Sequence, residues 1–81
     1  MNTGWSWRPI DQPTGQRKEL WHLLDVQGRF RAEVYKSVEI DAEGKSYVWA
    51  VWPYQVVGNT GSAHTVIDAR INAEKRLRNQ N

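Results

Sequence analysis

The side chains able to do chemistry in this chain of 81 residues are few and scattered. His22 and His64 are the two suited to proton transfer near neutral pH. His22 lies in a strand-like run and reads as a structural histidine on a buried face. His64 precedes a helix cap and reads as a loop residue. Ser6, Ser37, Ser46 and Ser62 show no nucleophile elbow. The stretch GNTGSA, Gly58 to Ala63, is glycine-rich like a phosphate loop but lacks the Lys-Ser/Thr ending that such a loop requires. Glu39, Asp41 and Glu43 surround a turn without the ligand spacing of a calcium loop. With no Cys there is no thiolate ligand and no disulfide. The expectation is a non-enzymatic chain with no metal and no cofactor.

What remains is the chemistry of contact. The run YVWAVWPY, Tyr47 to Tyr54, reads as a strand apolar on both sides. One face would carry Tyr47, Trp49 and Val51, the other Val48, Ala50 and Trp52. A sheet covered by one helix needs a single apolar face, so the second calls for its own cover. A chain of this length forms one domain at most and buries a modest core, which five Trp, three Tyr and one Phe enlarge. Eleven Lys and Arg against nine Asp and Glu give a net charge of +2, mild for a dedicated nucleic-acid binder. The cations cluster only at Lys75, Arg76 and Arg78, where they also complement the negative end of a helix dipole. The opening residues carry no apolar run of a signal peptide, and no segment approaches the ~20 apolar residues of a membrane span. Together with the lack of Cys this gives a cytoplasmic expectation.

The elements that must position these residues follow from turn and helix signals. Residues 1–18 read as an extended N-terminal arm, holding Pro9 and Pro13 and, two positions apart, Trp5 and Trp7. Residues 19–81 read as a single ββ-β-α domain. DVQGR, Asp25 to Arg29, and DAEGK, Asp41 to Lys45, repeat one pattern that suits a hairpin turn closed by Gly in the left-handed conformation. If Asp25 pairs with Arg29 and Asp41 with Lys45, Leu24 faces Phe30, Leu20 faces Val34, and Val34 faces Trp52. Leu20, Leu24, Phe30, Ala32, Val34, Val38, Ile40, Val48, Ala50, Trp52 and Tyr54 then share one face, the expected core. A helix starts at the cap Thr65 and lays Val66, Ala69, Ala73 and Leu77 on that face, with Arg70 and Glu74 as an ion pair at its margin. The fold class expected is α+β: a three-stranded antiparallel β-meander with one C-terminal α-helix packed on one face and an extended arm.

On that register the opposite face gathers Trp21, Tyr35, Tyr47, Trp49 and Val51, and these are the expected partner-binding residues. A wet apolar patch of that size is unusual in a monomer. The arm could fold back and lay Trp5 and Trp7 over it. A protein partner or a second copy could dock there. Nucleic-acid bases could stack on it, although Glu33 and Glu39 interrupt the basic groove that phosphates need.

The segment GSAHTVIDARINAEKRL, with Ala69, Arg70, Ala73 and Leu77, resembles the end of double-stranded-RNA-binding domains, where a meander leads through a Gly/Ser loop into a helix. The family's Lys cluster is replaced here by His64, Thr65, Val66 and Ile67, and its first helix by the arm. The chain also resembles short orphan proteins of bacteriophages and prophages, which pair a Trp- and Tyr-rich meander with a helix of this kind. That resemblance implies a role exerted by binding, as in host-interaction factors and inhibitors of bacterial defence. The expectation is therefore a small binding module acting on a protein partner or on itself. The alternative is a nucleic-acid-binding accessory protein using the same face with Lys75, Arg76 and Arg78.

Overall fold

The computed structural model describes residues 4–11 and 17–79; the remainder of the expected arm, and the last two residues, lie outside the described residues. The architecture is α+β, an antiparallel sheet with one C-terminal helix. It has five strands where three were expected. These are β1 (Ser6–Pro9), β2 (Arg17–Leu24), β3 (Phe30–Ser37), β4 (Tyr47–Val51) and β5 (Thr60–Ala63), followed by α1 (Val66–Arg78). Each strand pairs with its neighbour in chain order. The two added strands come from segments that lack a strand signature. β1 is the Trp-containing part of the arm, and β5 is TGSA, which has one β-branched residue. β5 pairs because Gly61 has no side chain. A Cβ there would stand 2.6 Å from Cζ2 of Trp49, so the indole lies over the bare glycine.

Both hairpin turns form as their sequences dictate. The amide of Asp25 donates to the carbonyl of Arg29 and that of Asp41 to the carbonyl of Lys45, with Gly28 and Gly44 at positive φ. In each turn the Asp carboxylate accepts two further amides, from Gln27 and Arg29 and from Glu43 and Lys45. The turns do not transmit their register to the strands. Leu24 faces Phe30 as expected, but a bulge follows, and Trp21, not Leu20, faces Val34. A second irregularity between Lys18 and Trp21 puts Glu19 at positive φ. In the second hairpin the amide of Ser37 already bonds Ser46, leaving Val38, Glu39 and Ile40 looped out and exposed. Val34 therefore faces Trp49, not Trp52.

Each slip is by an odd number of residues, and an odd slip turns a strand over. β3 keeps its expected core residues, Ala32 and Val34, both fully buried. The strands on either side present the other face. The helix packs Ala73 and Leu77 against Leu23, Ala32 and Val51, and Ala69 against Val34 and Ala63, with Trp5, Trp7, Trp21, Tyr47 and Trp49 around them. The set Tyr47, Trp49 and Val51 carries more apolar area than Val48, Ala50 and Trp52. At about 25 cal/mol per Å² the larger set gains more by going under the helix.

The helix itself matches its reading. Thr65 caps it, its hydroxyl accepting the Asp68 amide at 3.1 Å, and Ala69, Ala73 and Leu77 are buried. Ile67 and Ile71 are exposed. Arg70 departs from the ion pair expected with Glu74: its guanidinium stacks on Trp7 and Trp21, 5.4 and 5.1 Å from the ring centroids. Glu74 instead accepts the Trp7 indole N–H at 2.7 Å and lies 3.7 Å from Arg78. The arm's tryptophans are thus docked on the covered face.

Candidate binding face

The expected partner-binding residues are, with one exception, under the helix. Val51 is fully buried, and Trp21, Tyr47 and Trp49 pack against the buried cluster beneath α1. The face assigned to these four is corrected: they lie on the side of the sheet against which α1 packs, not on the open side. Tyr35 alone sits on the other face, opposite Val48 and half-buried. Trp52, expected in the core, is 53 % exposed. The helix-free face therefore combines the residues of β2 and β4 expected in the core with the residues of β3 expected opposite it.

Its residues come from all five strands. β1 and β2 contribute Arg8 opposite His22, β3 and β4 contribute Glu33 opposite Ala50 and Tyr35 opposite Val48, and β5 contributes Thr60 and Ser62. At one end the face carries a row of rings in edge-to-face contact. His22 meets Phe30 with centroids 4.9 Å apart, Phe30 meets Tyr54 at 6.3 Å, and Tyr54 meets Trp52 at 5.5 Å. The bulge beside Leu24 brings Phe30 next to His22 in this row. Trp52 ends it, its amide donating to the carbonyl of Arg31 at 2.9 Å.

The loop after Trp52 is held from below. Asn59 is fully buried; its amide nitrogen donates to the carbonyl of Pro53 at 2.8 Å, and its oxygen accepts Nε of Arg76 at 2.5 Å. Arg76 also donates to the carbonyl of Val57 at 3.1 Å. This latch from α1 presents Trp52, Val56 and Val57 to solvent on a pinned backbone. It also gives Arg76, one of the candidate phosphate contacts, a structural role. Arg78 lies beside Glu74, and Lys75 is exposed.

Acidic and basic side chains are interspersed among these rings. His22 Nε2 is 3.9 Å from the carboxylate of Glu33, which is 4 % exposed. Arg31 is 3.9 Å from Asp25. The Asp25 carboxyl is held below its ordinary range, chiefly by the backbone N–H of Arg29, with burial opposing and the Gln27 amide assisting. The His22–Glu33 separation is too long for a hydrogen bond. His64 is exposed in the turn before α1. Among the described residues no group of three or more His, Cys, Asp or Glu converges as a metal site would. No described helix is long and apolar enough to cross a membrane.

One sequence signal pointed to the exposed end of this row. Pro53 cannot continue a ladder, so Trp52 had to lie at the end of its strand and not within it. No family model matches this chain, and no curated protein or solved structure matches it.

Proposed function

We propose that this chain is a small binding module that acts by contact with a protein partner through the helix-free face, centred on Trp52 and the ring row behind it. The observation that supports the reading is the half-exposed Trp52 on a backbone latched by the buried Asn59 and Arg76. An exposed aromatic on a rigid support is the usual form of an interface anchor. The carboxylate of Glu33 among the rings, and Arg31 beside Asp25, favour a protein surface over a polyanion, which would call for an uncompensated basic track. The resemblance to short phage and prophage proteins would imply a role of the same kind.

The test uses a photo-crosslinking residue placed at position 52 and, as control, at the exposed position 26 in the turn of the first hairpin. A discrete protein captured from position 52 alone, and lost when Tyr54→Ser is added without change in the melt, is the expected result. Salt-resistant binding of single-stranded DNA that quenches Trp52 overturns it in favour of the nucleic-acid reading.

A further inference from the structure

The two edges of the sheet are unlike. β1 carries Arg8 and ends at Pro9, which has no amide hydrogen to donate. Charge and proline are devices that keep an edge from pairing. β5, the edge on the other side among the described residues, reads TGSA and has neither. Its polar groups can be placed. The amide of Val51 donates to the carbonyl of Asn59 at 2.7 Å, and bonded pairs alternate along an antiparallel ladder. Gly61 and Ala63 therefore bond β4, while Thr60 and Ser62 turn their N–H and C=O groups outward.

Beside Ser62, on the helix-free face, lies a hollow of about 210 Å³ lined by Ser37, Glu39, Ile40, Asp41, Lys45, Val48 and Ser62, two carboxylates to one cation. The looped-out residues after β3 reach across to form it, tied down where the Ser62 hydroxyl donates to Asp41 at 3.0 Å. Ile40 and Val48 make its walls apolar. Glu39 and Asp41 give it negative charge, and Lys45 is drawn towards Glu43, 3.6 Å away. The Asp41 carboxyl is held below its ordinary range, chiefly by the Lys45 amide, and so stays ionised at neutral pH.

We propose that the β5 edge takes up an extended segment of a partner protein as a sixth strand, with a Lys or Arg of that segment opposite Ser62 and its side chain in the hollow. Residues directly opposite each other share a face, so that side chain stands over Ile40 and Val48 with its cation between Glu39 and Asp41. Main-chain bonds to Thr60 and Ser62 supply affinity and the hollow supplies selection, as in other strand-addition sites. A second copy fits less well: pairing β5 with itself would set Thr60 or Ser62 opposite Ser62, and neither is long enough to fill the hollow. The proposal rests on the protein-contact reading and names the kind of segment it receives.

The experiment is a titration of the isotope-labelled full-length chain with the synthetic peptide acetyl-VTKTV-amide, followed by the backbone amides. Shifts centred on Thr60 and Ser62, with exchange of the Ser62 amide slowed by about tenfold at saturation, are expected. A peptide with Glu in place of Lys should bind at least about tenfold more weakly. Ser62→Pro removes an outward donor while leaving the bonds to β4, and should abolish binding. Should that variant not fold, the same peptide methylated on its backbone nitrogens imposes the block from the other side and should not bind. Equal affinity for the Lys and Glu peptides, no shift at millimolar peptide, or concentration-dependent pairing of β5 with β5 each overturns the proposal. Shifts confined to Phe30, Trp52 and Tyr54 overturn the edge site and leave the face reading standing. Binding at β5 without any capture at position 52 does the reverse.

Discussion

The two faces of this sheet use the same residue types to opposite ends. Under the helix, three tryptophans are each held by a specific neighbour: Trp7 by Glu74 and Arg70, Trp21 by Arg70, and Trp49 by the bare backbone of Gly61. On the other face, His22, Phe30, Tyr54 and Trp52 hold one another edge to face, and the last stands half in water. The covered face spends its aromatics on cohesion. The open face keeps one ring available and anchors the backbone that carries it. An aromatic count cannot separate these uses; the neighbours decide.

The comparison breaks most directly at Trp49 and Trp52. Trp49→Ala should cost about 3–5 kcal/mol, the range for truncating a large aromatic in a core. Trp52→Ala should cost about 1 kcal/mol or less, since it loses one ring contact and little burial. Denaturant melts of the two variants measure the difference, and equal losses would mean that the two faces are not distinct. Gly61→Ala comes next. The added methyl would collide with the Trp49 indole, and overpacking of this kind typically costs about 1–3 kcal/mol. A melt unchanged from the parent would show that the indole can move aside.

Arg70→Ala sharpens the comparison at the arm. It removes a cation from two indole faces, worth about 1 kcal/mol in total at a partly exposed site. It should also quicken amide exchange in β1 relative to β4; uniform exchange across the sheet would deny the clasp. The smallest effect is expected at the turns. Asp25 and Asp41 have folded-state pKa values depressed below the ordinary aspartate value of 3.8. Their contribution is thus complete above that value and is lost as pH falls through the folded-state values. Melts from about pH 6 down to about pH 2 should show a decline concentrated below that value and shallower in the Asp25→Asn, Asp41→Asn double variant. A decline of the same steepness in that variant would remove these carboxylates as its source.

The chain of local signals was legible wherever a short stretch sufficed. Asp-x-x-Gly specified both turns, because an Asp carboxylate collecting two amides and a Gly at positive φ need nothing from the rest of the molecule. Thr65 capped the helix, and Ala69, Ala73 and Leu77 marked its buried side for the same reason. The alternation in β3 was also readable, with Ala32 and Val34 turned inward.

What the sequence could not decide was which way its neighbours faced. β4 is apolar on both sides, and a bulge of one residue or a loop of three exchanges its faces at little local cost. The choice was made by packing between distant segments: the greater apolar area of Tyr47, Trp49 and Val51, and a glycine in TGSA that leaves space for an indole from the adjacent strand. For the same reason the two outer strands were hidden. Ser6–Pro9 and Thr60–Ala63 have little propensity of their own and become strands only because the sheet beside them offers a ladder and the helix above gives Trp7 a place to bind. Turns and caps are written in a few adjacent residues. The exposed face of a two-sided apolar strand is set by the whole tertiary structure, since only there do the competing burials meet.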